Sequence, residues 1–442
     1  MMQTAALLDH IHAADWIRRR GHITRVVGLT VASHGPDARL GEICSVSCGE
    51  TGGHTLAEVV GFSDGQVLLM PYEDLAGIKI GCEVTATGET AQIRAGDHLL
   101  GRVVDAFGEP LDGLPFTRAG ACCPIYPTPI NPLRRGMVTE VLETGVRAID
   151  ALLTIGRGQR VGIFAGSGVG KSTVLGMIAR QVRADVSVIA LVGERGREVK
   201  TFVETGLSSE ARRKSVVIAA TSDQPALVRR RAAFVATAVA EYFADQGLNV
   251  CLTMDSVTRV AMAQREIGLA SGELPTARGY TPSVFALLPK LLERGGVRAA
   301  GGSLTALYTI LVEGDDLADP IADTVRSILD GHIVLSRAVA QRGRYPAVDV
   351  TQSVSRLTSA LVADSDHRLI VDAVKALAIY ESSRDLIEVG AYRAGTNAAV
   401  DRAIKLVPQI EDFMAQRPDQ VERRGAAVER LRAIVESAGR AA

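Results

Sequence analysis

The run Ala165-Gly166-Ser167-Gly168-Val169-Gly170-Lys171-Ser172-Thr173 constrains this chain more than any other stretch. The apolar segment before it, Arg160 to Phe164, reads as a buried strand. The segment after it, Lys171 to Val182, reads as a helix with Leu175, Ile178 and Val182 on one face. Strand, glycine-rich loop and helix, in that order, make a phosphate-binding loop. Its glycines let the backbone curl so that N–H groups point at phosphate oxygens. The helix N-terminus adds a dipole that favours anions. Lys171 is placed to reach β- and γ-phosphates, and the Ser172 hydroxyl to ligate Mg²⁺. The strict pattern starts on glycine; here that place is Ala165, which is therefore expected in an ordinary backbone conformation.

The flanking patterns extend this picture. Val186 to Val192, Ser215 to Ala220, Val250 to Met254, Thr305 to Val312 and Ile333 to Ser336 read as strands, and residues 225–244 as a helix. Alternation of this kind means a mainly parallel sheet covered by helices. Between His22 and Gly88 the pattern turns to period two, in Val27, Leu29 and Val31, then Leu56, Glu58 and Val60, then Cys82, Val84 and Ala86. Asp64-Gly65 between apolar runs signals a hairpin, and short strands at this spacing suggest a small β-barrel. Residues 101–135 are rich in turns and prolines, and the chain beyond Leu357 reads as all-helical. The expected fold is α/β: a RecA-like phosphate-loop core (93–356) between an N-terminal barrel (22–92) and a helical C-terminal domain (357–442), with a leading helix in residues 1–21.

Composition excludes several classes. The 49 Lys and Arg against 50 Asp and Glu leave a formal charge of −1, so a chain that binds mainly by neutralising nucleic-acid phosphates is not expected. Hydrophobic residues at 47% argue against disorder. No uncharged apolar run reaches membrane-spanning length. Asp9, His10 and Asp15 interrupt what would be a signal peptide, so a cytoplasmic location is expected. Cys44 and Cys48, and Cys122 and Cys123, lack zinc-pair spacing and read as reduced thiols. Residues 5–18 read as a short helix, expected either to pack on its own domain or to dock on a partner or an acidic membrane surface.

Hydrolysis needs more than a phosphate loop: a second acid near Mg²⁺, a group that positions water, and positive charge for the transition state. Asp255 ends an apolar run and suits the first role. Glu194, just past the strand ending at Val192, suits the second. Arg259 and Arg356 are candidates for the third.

Four blocks now converge: Glu143 to Asp150, Ala165 to Thr173, Gly193 to Glu198, and Met254 to Arg259. Together they resemble rotary ATP synthase catalytic subunits. The runs Ala261 to Ala270, Gly279 to Phe285, Leu291 to Arg294 and Glu313 to Asp316 look like the type III export ATPases within that group. Asp319 to Asp323, with Arg326 to His332, looks more like the flagellar member than the injectisome member. The resemblance spans residues 22–410. It implies ATP and Mg²⁺ as ligands, with Glu194 activating water and Lys171 and Ser172 on phosphate and metal. It further implies Arg195 and Glu198 as organisers of the metal and phosphate region, Asp255 at Mg²⁺, and Arg259 facing the γ-phosphate. Arg356 matches an arginine finger donated across a subunit interface, and Tyr345 a residue that stacks on adenine. One departure is Asp419, in Phe413 to Asp419, where synthase subunits bring a further aromatic.

In rotary synthases the water-activating Glu and the finger Arg lie on different subunit types. Here Glu194 and Arg356 share one chain, so a head-to-tail ring, a homohexamer, is expected. The resemblance also implies export substrates and chaperones, stator or regulator and central stalk proteins, and peripheral contact with the inner membrane as partners, with no nucleic acid among them. Injectisome secretion, a rotary-ATPase subunit and an RNA-translocating ring are the competing readings.

Overall fold

The structure is a computed structural model, which describes residues 19–47, 53–117, 119–299 and 301–437. The short helix expected in residues 5–18, and Cys48, lie outside the described residues.

Six strands close into a barrel: Arg20–Val27, Thr30–His34, Glu42–Ser47, His54–Ser63, Gln66–Pro71 and Glu83–Thr90, here β1 to β6. The spatial order is β1-β2-β5-β4-β3-β6, with β6 returning to β1. Asp64 and Gly65 both take positive φ (51° and 70°) between the paired residues Ser63 and Gln66, as a two-residue hairpin requires. Two parts of the alternation differ from expectation. Val27 and Leu29 are exposed because Val27 ends β1 and Leu29 lies in the β1–β2 turn. The interior of β4 is Ala57 and Val59, so Leu56, Glu58 and Val60 form its outer face. Alternation has no intrinsic sign: in β4 the smaller residues face the barrel interior beside Ile23 and Leu69, and the larger set faces out.

The core is a nine-stranded sheet. Its main strands are β7 (Val103–Val104), β8 (Arg160–Ala165), β9 (Val186–Val192), β10 (Ser215–Ala220), β11 (Asn249–Asp255), β12 (Ser303–Leu311), β13 (Gly331–Leu335) and β14 (Val348–Ser355). They lie in the order β14-β13-β8-β12-β11-β9-β10-β7, all parallel except β14, which runs antiparallel to β13. Strands buried on both faces read as unbroken apolar runs, and every residue of β9 and β10 is buried.

Helix α1 (Lys171–Gln181) covers one face with Val174, Leu175, Met177 and Ile178. That apolar cluster continues without a break into the C-terminal helices α4 (Asp364–Glu388), α5 (Ala398–Met414) and α6 (Arg424–Ser437), through Leu369, Leu406 and Leu431. Helices α2 (Ala226–Asp245) and α3 (Val257–Ala270) belong to the cluster on the other side. Each fully buried Leu, Ile or Phe contributes about 1.5–3 kcal/mol. Among the described residues no helix is long and apolar enough to cross a membrane.

Three successive arginines on α2 tie the elements together. Arg229 pairs with Glu266 on α3 at 2.5 Å. Arg231 donates to the carbonyls of Ala106 (2.9 Å) and Gln92 (2.8 Å) and stacks on Phe107. Arg230 reaches the outer face of the barrel and pairs with buried Glu58 at 2.6 Å; Tyr72 donates a second hydrogen bond to that carboxylate at 2.7 Å. Breaking such a buried pair leaves one charge without a partner. Glu58→Ala is therefore expected to lower the unfolding free energy by about 3–5 kcal/mol in urea titration. Glu58→Leu combined with Arg230→Met should recover most of that loss.

Candidate active site

The loop after β8 reaches its expected position. Ala165 is the last residue of the strand and has ordinary extended backbone. Gly168 (φ 79°) and Gly170 (φ 95°) are left-handed, where a side chain is strained. Gly166 is not left-handed; its constraint is space. A Cβ there would meet Asp315 Oδ1 at 2.1 Å. Ser167 and Gly168 are exposed and Val169 anchors the loop in the core. Lys171 opens α1, with Ser172 and Thr173 exposed in its first turn.

The parallel register places β8, β9 and β11 so that their C-terminal ends share one edge of the sheet. Lys171 lies in the middle of that edge. Its Nζ sits 2.5 Å from Asp255 Oδ1 and 3.3 Å from Glu194 Oε1. Asp255 is further held by the Thr309 hydroxyl, which donates to Oδ1 at 2.7 Å. Burial pushes the Asp255 carboxyl above its ordinary range; the Lys171 ammonium opposes this and the Glu194 charge adds to it. Burial likewise raises the Glu194 carboxyl, against the pull of Lys171, and a hydrogen bond with Glu198 raises it further. Two desolvated carboxylates therefore share one ammonium, an arrangement ready to exchange partners with an incoming anion.

Arg259, on the first turn of α3, packs its aliphatic stem on Gly193, where a Cβ would come within 2.8 Å of the Arg259 Cβ. This puts it beside Glu194. Arg195 and Glu198 stand further out: Arg195 is 83% exposed, and the two form a loose pair at 3.6 Å. Glu198 thus reaches the centre through Glu194, while Arg195 faces solvent. Tyr345 is half-exposed, with its ring 3.7 Å from where a Gly170 Cβ would lie. Its carbonyl accepts from the Gln416 N–H at 2.9 Å, which joins this segment to the helical domain. Phe413 offers nothing to a base, because it is fully buried beneath Arg147 and Arg430, and Asp419 pairs with Arg417 in solvent.

Arg356 is not brought to this edge. Its N–H donates to the Asp330 carbonyl, and the Asp330 N–H donates to Arg160, at the opposite end of β8 from the phosphate loop. Five strand steps, roughly 16 Å, separate those two levels. The exposed Arg356 side chain therefore belongs to a different face of the molecule.

Residues 145–355 match the nucleotide-binding domain of the ATP synthase alpha/beta family, 23–88 its beta-barrel domain, and 363–433 the T3SS EscN ATPase C-terminal domain. The flagellum-specific ATP synthase of Bacillus subtilis (strain 168) is 52% identical over 420 residues, 95% of this chain and 96% of the relative. The chain belongs to the type III export ATPases, in their flagellar branch. The type 3 secretion system ATPase of Xanthomonas euvesicatoria is 46% identical to it over 95% of both chains. Among solved structures, the assembled ATPase EscN of enteropathogenic E. coli matches with a TM-score of 0.89 at 44% identity, covering 94% of this export ATPase and all of EscN. EscN in complex with its central stalk EscO matches with a TM-score of 0.86 at 43% identity.

Sequence reasoning missed Thr309, Asp315 and Arg337. The one available signal for Thr309 was a hydroxyl residue inside the otherwise apolar run Ala306 to Leu311. Thr309→Val keeps the shape and removes the donor to buried Asp255. It is expected to lower the unfolding free energy by about 1–3 kcal/mol, read by denaturant titration. Thr309→Ser should restore most of the difference.

Proposed function

We propose that this chain hydrolyses Mg-ATP to ADP and phosphate in order to energise or prime protein export through the flagellar type III apparatus. The observation that carries the reading is the meeting of Lys171, Asp255 and Glu194 at one sheet edge beside the phosphate loop. The flagellar assignment is supported by the relatives named flagellum-specific, which reach 52% identity against 46% for the first secretion counterpart.

In this reading a triphosphate draws Lys171 from the carboxylates toward its β- and γ-oxygens, and the loop N–H groups hold the same phosphates. Ser172 and Asp255, a hydroxyl and a carboxylate, are the hard oxygen donors that suit Mg²⁺, with Glu198 outside them. Bound there, Mg²⁺ would neutralise charge on the phosphates. Released from Lys171, the carboxylate of Glu194 orients and deprotonates the attacking water. Arg259 adds positive charge beside it, and Tyr345 packs against the base.

Arg356 acts on a neighbour. Since it lies on the far side of its own sheet, a finger role requires a second copy, and head-to-tail repetition closes into a ring. The assembled EscN structures support a homohexamer, and the EscN–EscO complex supports a central stalk partner. Stator or regulator proteins, export substrates and chaperones complete the proposed partners, at the cytoplasmic side of the inner membrane. The proposed domains are 22–92, 93–356 and 357–442.

Glu194→Gln is expected to keep nucleotide binding and lose about 10²–10⁴-fold in turnover. Because the folded carboxyl is raised, the base form is lost as pH falls, so the acid limb of kcat/KM should lie above the ordinary Glu value of about 4.3. Arg356→Ala should cost on the order of 10³-fold in turnover. Mixing Lys171→Ala chains with Arg356→Ala chains should restore activity beyond the sum of the two; no gain on mixing would exclude a finger donated in trans.

A further inference from the structure

We propose that Arg337, held by Asp315, is a positioning residue that orients the phosphate loop for nucleotide phosphates. Arg337 Nη2 donates to the Ser167 carbonyl at 3.2 Å, and its Nε pairs with Asp315 Oδ2 at 2.9 Å. Asp315 fills the space against Gly166, where an added Cβ would lie 2.1 Å from Oδ1 and 3.0 Å from Arg337 Nη2. The pair therefore braces the loop at two consecutive residues.

The geometry gives the brace a direction. The Ser167 carbonyl and the Gly168 N–H belong to one trans peptide plane and point opposite ways. Holding the carbonyl toward Arg337 turns the Gly168 N–H the other way. The left-handed Gly168 (φ 79°) is the conformation that continues the loop from there. A loop that binds anions works only when such N–H groups converge. Arg337 also lends the loop a positive charge and neutralises Asp315, which would otherwise repel phosphate.

The brace is itself tied to a distant loop. Asp315 (φ 59°) follows Gly314 (φ 64°) in a turn whose next acids, Asp316 and Asp319, pair with Arg278 at 2.7 and 2.9 Å. Arg278 is likewise left-handed (φ 50°) and lies in the exposed segment that holds Leu274. Two sets of ion pairs, Arg278 with Asp316 and Asp319 and Arg337 with Asp315, are thus joined through the Asp315–Asp316 peptide.

The inference rests on nucleotide binding at this site, so wild-type ADP affinity and ATP turnover are measured beside each variant. Absence of wild-type binding would sink the site reading itself. With wild type binding, Arg337→Ala is expected to weaken ADP binding and raise the KM for ATP about tenfold. Its kcat should fall far less and its unfolding midpoint should stay at the wild-type value. Arg337→Lys should recover part of the affinity through charge. Arg337→Ala with Asp315→Asn should recover only part, because the Ser167 carbonyl remains unheld. Unchanged affinity in Arg337→Ala overturns the proposal. Full recovery in the double variant overturns it too, since Arg337 would then serve only to neutralise Asp315.

Discussion

One ammonium between two desolvated carboxylates is the contact on which the site depends. Lys171 cannot satisfy both Asp255 and Glu194 strongly, and the distances of 2.5 and 3.3 Å record the inequality. Both acids are held above their ordinary range by burial, so each gains from any cation that approaches. The parallel sheet exists, in functional terms, to bring these three groups to the same edge from residues 171, 194 and 255. Nothing local in the sequence could do so. The apolar registry of β8, β12, β11 and β9 does it, by fixing where each strand ends.

What was legible in the sequence was whatever is written in contiguous patterns. The phosphate loop, the buried strands and the helix after Lys171 are each encoded within one window, and their bounds agree with the structure to within a residue or two. The Asp64-Gly65 hairpin was legible for the same reason. Glu194 and Asp255 were legible as strand ends, and Ala165 as a residue that keeps ordinary backbone.

What was not legible is written in pairs. Glu58 and Arg230 are far apart in the chain, and neither neighbourhood signals the other. In isolation, Glu58 is one polar member of an alternation, and that alternation does not say which set enters the barrel. Gly166 looks like a glycine chosen for flexibility, yet its backbone is not left-handed and its missing side chain leaves room for the Asp315 carboxylate. Arg337 sits in a helix with no motif, and only the fold reveals that it meets Ser167. The family resemblance implies Arg356 as a finger, and the antiparallel direction of β14 places it at the opposite end of the sheet from its own phosphate loop.

That last strand carries a mechanical consequence. Tyr345 enters β14 beside the chain's own phosphate loop, and Arg356 leaves it at the far edge of the sheet. Its eight residues bulge between Asp349 and Val354, so they span only the four strand steps from Leu335 to Gly331, roughly 13 Å. Its ends are pinned by the pairings Leu335 with Val348 and Gly331 with Ser355. On the proposed roles, one end senses the base in one pocket and the other presents charge to the next. A shift of this strand on nucleotide binding would carry occupancy from pocket to pocket around a ring. Firing order would then be a property of one bulged strand at the edge of the sheet.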